Sequence, residues 1–354
     1  MIEPPVIIGE ASPHSINGVS RSAYVACLRQ AQVRGTSGLI QVDGVGLFDF
    51  QGSELERFDW EMDIDPSIFQ ACNENAWIVT ARDQRPTMEI DEGFMLLGPQ
   101  TGGFGDWMQD YLPRYVAANL SGALPPVPVL IDASLPAVHR ESIELMLPDG
   151  VELITIPGLT TVRVDRLWCA PALFYAPSWE KMDSRFSYAH RAPPPARFAA
   201  VTQEMARRAD YAIRESASPQ RIFLARRTSL WRNLVNNNNI EAAAKVHDFS
   251  IIIPEELDFA GQVNLVRNAR FVIVPEGSAV CLAYFARPGM KVCILNHTLV
   301  EWPIIYNSFL SGAGVDITIM TGPIVRRHPE FLDRADYTID ECRFSEFLNG
   351  WLST

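Results

Sequence analysis

The stretch Arg221–Arg227 reads RIFLARR, and it decides how the rest of the chain is read. RIFLA is an apolar run of strand length, and the two arginines that follow fall in the loop beyond its carboxyl end. Downstream, EAAAKVHD has helical character, FSIIIP is a strand, and PEELDFAGQVNLVRNA is an acidic proline turn opening a helix. ARFVIVP is the next strand, and Glu276-Gly277-Ser278 then turns into SAVCLAYFA, a helix of small residues. Strands that alternate with helices predict a parallel sheet with right-handed crossovers. An anion at the carboxyl edge of such a sheet would meet guanidinium forks from the first turn and bare helix-start amides from the last. A diphosphate suits this layout, and a nucleotide-sugar is its usual carrier.

Toward the C-terminus, MKVCILN and VDITIMTGP are strands, and ECRFSEFLNGWL is a terminal helix expected to pack back on the first domain. Upstream of RIFLARR, FAAVTQEMARRADYAIRES is a long helix. It follows YAHRAPPPAR (188–197), whose three prolines suit a semi-rigid linker. Earlier still, GDWMQDYLPRYVAANLSG sets Trp107, Tyr111, Tyr115 and Leu120 at helical spacing and closes on a Ser121-Gly122 C-cap. VPVLIDA, AVHRESIELMLP and VELITIP continue as strand, helix and strand; TTVRVDRLWCAPALFYA is one strand or two. Between Gly38 and Leu97, LIQVDGVGLFDF, AWIVTA and GFMLLG predict a β-rich N-terminal arm. The class is therefore α/β, with two Rossmann-like domains facing a cleft. Residues 1–195 make the acceptor side with its arm, and residues 196–354 the nucleotide side.

At 354 residues, two domains are the expectation. A formal charge of -12 and a pI near 5.0 argue against nucleic acid as a partner. Against that acidity the arginines at 221–232 and 326–327 stand out, a local cationic patch suited to a small anion. The six cysteines are widely spaced with no CxxC pair, which predicts reduced, mostly buried thiols. No signal peptide or membrane-length apolar run is seen, so a cytoplasmic protein without a transmembrane segment is expected. The histidines are dispersed, with His139, His190 and His328 beside Arg or Pro in expected surface positions. The one acidic-x-acidic pattern, Asp63-Ile64-Asp65, lacks a strand-end context. No metal is expected.

The order of these motifs resembles glycosyltransferase family 61. That family takes in bacterial capsular polysaccharide biosynthesis proteins, plant xylan-decorating transferases and animal O-linked N-acetylglucosaminyltransferases. The family's helix of Asn, aromatic, His, Trp and Pro-Arg is similar to GGFGDWMQDYLPRY, and its arginine strand to RIFLARR. Its later run of Pro-Glu-Leu, Phe, Gln and Gly-Pro-His-Gly resembles PEELDFAGQVNLVRNARFVIVPEGSAV. The resemblance covers about 102–122 and 221–295. It implies a GT-B-like pair of domains and an inverting transfer from a nucleotide-sugar donor to a glycan hydroxyl, the donor being a co-substrate with no further cofactor. Three positions depart: the family's first His falls at Asp106, its Glu after Asn at Asn237, and its later His at Glu276. Each swap changes charge or proton chemistry, so two alternatives stay open. One is a catalytically silent glycan- or nucleotide-binding subunit; the other is a pyruvyl-type transferase acting on polysaccharide.

Arg226, Arg227 and Arg232 are the expected phosphate ligands, because a planar fork matches phosphate oxygens and stabilises the leaving charge without a metal. A solvated arginine face is the alternative. Gly277, Ser278 and Ala279, with Val280, would offer free amides to the same anion. Glu276 beside them is either catalytic, a partner of the arginines, or an acceptor for a ribose hydroxyl. An inverting transfer also needs a base for the acceptor hydroxyl. Asp106 and Asp110, a helical turn apart and so on one face, are the candidates. Asp106 as an N-cap and Asp110 as the ion-pair partner of Arg114 are the alternatives. Asn236 would cap its helix or hold a donor hydroxyl. Asp258 is a helix cap, Gln262 would order the nucleotide loop, and Trp302 with Glu301 would frame the base or belong to the core.

Overall fold

The computed structural model describes residues 6–9, 24–47, 65–73, 76–81, 85–173, 195–210, 218–227, 230–298, 306–307, 309–328 and 334–353. Most of the proline-rich linker, together with His190, Glu301 and Trp302, lies outside them. The chain divides into two compact units: Ser20–Arg191, and Met1–Val19 joined with Ala192–Thr354. The first strand, β1 (Val6–Ile8), belongs to the second of these.

The Ser20–Arg191 unit carries β2 (Ala26–Arg34), β3 (Ile40–Val42), β4 (Val45–Leu47), a separate hairpin β5 (Ile68–Asn73) and β6 (Ala76–Ala81), and β7 (Met88–Leu96). Then come α1 (Phe104–Asp106), a π-helical turn (Trp107–Tyr111) and α2 (Leu112–Leu120). β8 (Val129–Asp132), α3 (Ala137–Met146), β9 (Leu153–Ile156) and β10 (Thr161–Cys169) complete it. Its sheet has the order β4-β3-β2-β10-β7-β8-β9. β10, β7, β8 and β9 run parallel, whereas β2, β3 and β4 are added antiparallel. GFMLLG is therefore a central strand and no part of an arm, which its continuously buried Phe94–Leu96 end explains: both faces are covered.

The single helix expected from 105 to 120 is continuous in path but widens at Trp107–Tyr111. Pro113 gives the reason. Its ring cannot accept the normal approach of the carbonyl four residues back and it has no N–H to donate, so the preceding turn opens to i→i+5 spacing. Gly122, at φ 71°, ends the helix in the left-handed conformation that its lack of a Cβ permits.

The second unit follows the alternating pattern closely. α4 (Pro195–Asp210) leads to β11 (Arg221–Leu224), α5 (Asn237–Val246), β12 (Ser250–Ile252), α6 (Phe259–Asn268) and β13 (Phe271–Pro275). A 3-10 helix (Ser278–Phe285), β14 (Lys291–His297), β15 (Asp316–Gly322), a short pair β16 (Ile324–Arg326) and β17 (Asp336–Tyr337), and α7 (Glu341–Trp351) finish the chain. Its six-stranded sheet, β1-β15-β14-β13-β11-β12, is parallel throughout.

Residues alternate between the two faces of this sheet. Phe271 and Ile273 join Ile240 and Ala244 of α5 and Phe344, Leu348 and Trp351 of α7 in one core. The alternate Val272 and Val274 are buried on the other face. The terminal helix thus packs on α5 and the sheet of its own unit, because its apolar stripe meets Phe271 and Phe249 there. Asp258 caps α6 as expected, accepting the Gly261 N–H at 2.7 Å. Cys281 and Cys293 are core side chains, but Cys27 and Cys342 are exposed.

Candidate functional site

Strand order in the second unit creates a crevice at the arginine loop. β11 passes through α5 to β12 on one side, and the chain then crosses back over β11 to continue as β13, β14 and β15. Open α/β sheets bind ligands outside the carboxyl ends of the strands at such a reversal. Arg226 follows the end of β11, and Glu276 and Gly277 follow the end of β13, its neighbour.

These two turns touch. Arg226 Nη1 donates to the Glu276 carbonyl oxygen at 3.0 Å. Gly277 has φ 156° and ψ −175°, a region that residues with a Cβ avoid. A Cβ added at Gly277 would stand 3.1 Å from Arg226 Nη1, a tight contact that the guanidinium would have to yield to, on top of the backbone strain. Among the described residues no carboxylate pairs with Arg226. Burial, reinforced by the nearby Arg232 charge, lowers its pKa. A cation that its surroundings disfavour in this way would be stabilised by an anion arriving in the crevice.

The other two arginines differ. Arg227 forms a two-pronged fork on Glu241 of α5, Nη2 to Oε2 at 2.9 Å and Nη1 to Oε1, and Asn237 Nδ2 donates to the same carboxylate at 2.6 Å. Glu241 holds the Arg227 pKa above its ordinary value. This guanidinium, 40% exposed, braces the loop against α5. Arg232, in the left-handed region at φ 59°, points Nη1 at Glu276 Oε1, 3.1 Å away.

Glu276 is 2% exposed and also accepts the Tyr306 hydroxyl at 3.2 Å. Burial and the Glu276 charge raise the Tyr306 pKa well above the ordinary tyrosine value, so the phenol stays a donor. The Glu276 carboxylate is thus buried and engaged, the arrangement of a positioning group rather than a proton acceptor open to substrate. Of the amides after Gly277, Val280 N–H already donates to the Gly277 carbonyl at 3.1 Å, which corrects its reading as free. Ser278 and Ala279, in the first turn of the 3-10 helix, are exposed and partly exposed. Asn236 stands at the start of α5 without capping it. Its Nδ2 donates to the Ile339 carbonyl at 2.8 Å and its Oδ1 accepts the Ile339 N–H at 3.2 Å. The side chain stitches α5 to the segment before α7, which corrects its reading as a helix cap. Gln262 Nε2 donates to the Pro254 and Leu257 carbonyls at 2.8 and 3.3 Å, fixing the turn before α6.

In the first unit the two aspartates part company. Asp110 is buried and grips Arg114 Nη2 at 2.9 and 3.0 Å. Asp106 is exposed, and its Oδ2 lies over Gly103, 2.5 Å from where a Cβ would be. The wide π turn between them breaks the four-residue register that would have put both on one face. Asp106 sits inside the first helical turn, where Gly103 and not Asp106 is the N-cap residue, which corrects the N-cap alternative.

His139, expected on the surface, is 3% exposed. It stacks on Trp107 at 5.4 Å and 4°, and its Nδ1 lies 2.9 Å from the Thr101 carbonyl. Burial lowers its pKa. Asp65 is likewise structural, accepting from Ser37 Oγ and the Gly38 and Ser67 amides. Glu241 and Tyr306 carry no mark in the sequence, and His139 is expected at the surface but buried. Each reaches its partners only through the fold, so no local pattern marks it.

Residues 104–293 match the family model for glycosyltransferase 61. The chain belongs to glycosyltransferase family 61. The match runs from α1 into β14 and so takes in the crevice, the arginine loop and the Glu276-Gly277 turn. A comparison with curated proteins finds no match. Family 61 membership makes sugar transfer the reaction class. No helix among the described residues is long and apolar enough to cross a membrane.

Proposed function

We propose that this family 61 chain moves a sugar, with inversion and without a metal, from a nucleotide-sugar to a hydroxyl of a glycan or polysaccharide. In this reading it works in the cytoplasm with its two units in a GT-B-like arrangement. The unit with the parallel sheet holds the nucleotide, and the Ser20–Arg191 unit takes the acceptor. One observation carries the reading: Arg226 and the Gly277-Ser278-Ala279 turn meet at the reversal point of a parallel sheet. Half-buried guanidinium and helix-start amides together favour a phosphate oxygen. The leaving nucleotide gains charge as the sugar departs, and a preorganised cation stabilises that charge as it develops. Asp106, which is exposed, is the carboxylate proposed to take the acceptor proton; Asp110 and Glu276 are buried.

The ion pairs of Asp110 and Glu276 favour the second reading, a binding subunit without turnover. A thermal-shift panel of nucleotide-sugars, UDP and phosphoenolpyruvate decides between them. Stabilisation by UDP with turnover of one nucleotide-sugar supports the transferase, and binding without turnover supports the silent subunit. A response to phosphoenolpyruvate alone removes both.

A further inference from the structure

Arg226 and Arg232 converge on one residue. Arg226 Nη1 donates to the Glu276 carbonyl oxygen at 3.0 Å, and Arg232 Nη1 donates to the Glu276 carboxylate at 3.1 Å. The second pair is uneven toward solvent: the Arg232 side chain is 22% exposed and that of Glu276 2%. An anion entering the crevice therefore meets the guanidinium and not its partner. Arg232 is also held at φ 59°, a left-handed backbone that a bulky residue rarely keeps without compensating contacts. Removing Arg232 would leave the Glu276 carboxylate only the Tyr306 hydroxyl among the described donors, at 3.2 Å. Stripping a buried ion pair of its cation in this way is strongly destabilising, so the guanidinium can leave only if another donor replaces it.

A replacement stands beside it. Pro275 of β13 and Leu295 of β14 are paired in parallel register, so the residues that follow them, Glu276 and Asn296, are neighbours on the opposite face of the sheet. Asn296 is 1% exposed, and its Oδ1 accepts the His297 N–H at 2.7 Å, which fixes the orientation of the amide. Its Nδ2 is buried and donates to no partner among the described residues. A donor orphaned at this depth is costly, and the nearest carboxylate in register is the one that Arg232 occupies. We infer that Glu276 is a built-in counter-ion that the incoming anion displaces: Arg232 passes from the Glu276 carboxylate to a phosphate oxygen, and Asn296 Nδ2 takes its place on Glu276. Guanidinium and carboxylate both stay charged through the exchange, and no covalent bond changes. Asn296 is then a positioning residue, acting on the anion through Glu276 and Arg232. The inference rests on the anion reading of the crevice and adds to it the way the second arginine is delivered.

The test titrates the full chain by calorimetry with inorganic pyrophosphate and with UDP, GDP, ADP and CDP, and carries the tightest binder through the variants. Arg232→Gln should weaken it ~10-fold or more, and Asn296→Ala by ~3- to 10-fold. Glu276→Gln should tighten it, and that gain should vanish in the double variant Arg232→Gln with Glu276→Gln, which has no guanidinium left to release. A through-space effect of the Glu276 charge would instead survive in the double variant. Thermal melts show which variants are folded. If Arg232→Gln alone is not, the double variant, which leaves no buried charge unpaired at this position, decides the matter against Glu276→Gln. Full affinity in folded Arg232→Gln, or a gain that persists in the double variant, overturns the exchange and leaves the Arg226 crevice standing. Full affinity in Asn296→Ala overturns the handover to Asn296. A wild-type chain that binds none of the five ligands overturns the exchange and the nucleotide reading together.

Discussion

Arg226 lies against Gly277 so closely that a single added carbon on the glycine would stand 3.1 Å from its Nη1. This contact joins the loop after β11 to the loop after β13 at the reversal point of the sheet. It also holds a guanidinium that forms no ion pair among the described residues, although the Glu276 charge partly offsets its burial. The consequences are open to measurement.

Arg226→Ala should weaken UDP binding by ~10- to 100-fold, the value of a charge-assisted hydrogen bond or two. Calorimetry measures the affinity, and a thermal melt close to that of the wild type shows that the loss is local. Unchanged affinity would remove the crevice as an anion site.

Gly277→Ala forces a side chain into a backbone region costing roughly 1–3 kcal/mol and pushes Arg226 aside. Both stability and anion affinity should fall together. An alanine variant that binds normally would show that the turn relaxes and that glycine serves no positioning role.

Glu276 separates structure from chemistry. Glu276→Ala leaves Arg232 and the Tyr306 hydroxyl without their buried acceptor, and breaking such a pair costs about 3–5 kcal/mol. Glu276→Gln keeps an acceptor oxygen and removes the charge, so it should melt between wild type and alanine and bind anions more tightly than wild type. Weaker anion binding in the glutamine variant would contradict the positioning role.

Asp106 and Asp110 should behave oppositely. Asp106 is exposed, so Asp106→Ala should cost no more than ~1 kcal/mol of stability. Asp110→Ala strips a buried partner from Arg114 and should cost about 1–3 kcal/mol. If Asp106 takes the acceptor proton, both Asp106→Asn and Asp106→Ala lose transfer rate while staying folded. A full rate in either removes it as the base.

His139 gives the fold an acid-sensitive point. Its pKa is lowered by burial, so below the ordinary histidine value near ~6.5 the unfolded chain binds the proton first. Stability present at neutral pH should therefore decline as pH falls through ~6.5 and below, until the folded-state value is passed. His139→Gln should flatten that part of the melting-temperature profile between about pH 7 and 5. An unchanged slope would assign the acid sensitivity to other groups.

Much of this molecule was legible along the chain. RIFL, FVIVP and KVCILN are short apolar runs of strand length, and their alternation with helical segments makes them parallel strands. The Ser121-Gly122 stop, the Asp258 cap and the glycine after β13 could be read for the same reason: each depends on the backbone needs of a few adjacent residues.

What the sequence by itself determined is the alternation of elements, the class of both sheets' parallel strands, and which turns carry charge. Tertiary structure alone decided which charges are already paired. Arg227 finds Glu241 on the next helix, Arg232 finds Glu276 across 44 positions, and Asn236 finds Ile339 across 103. It also decided that a π turn sends Asp106 to solvent and Asp110 inside. Hydrogen-bond pairing depends on distance in space, which apolar periodicity does not encode; the arginines look alike in the chain and differ only in what the fold brings beside them.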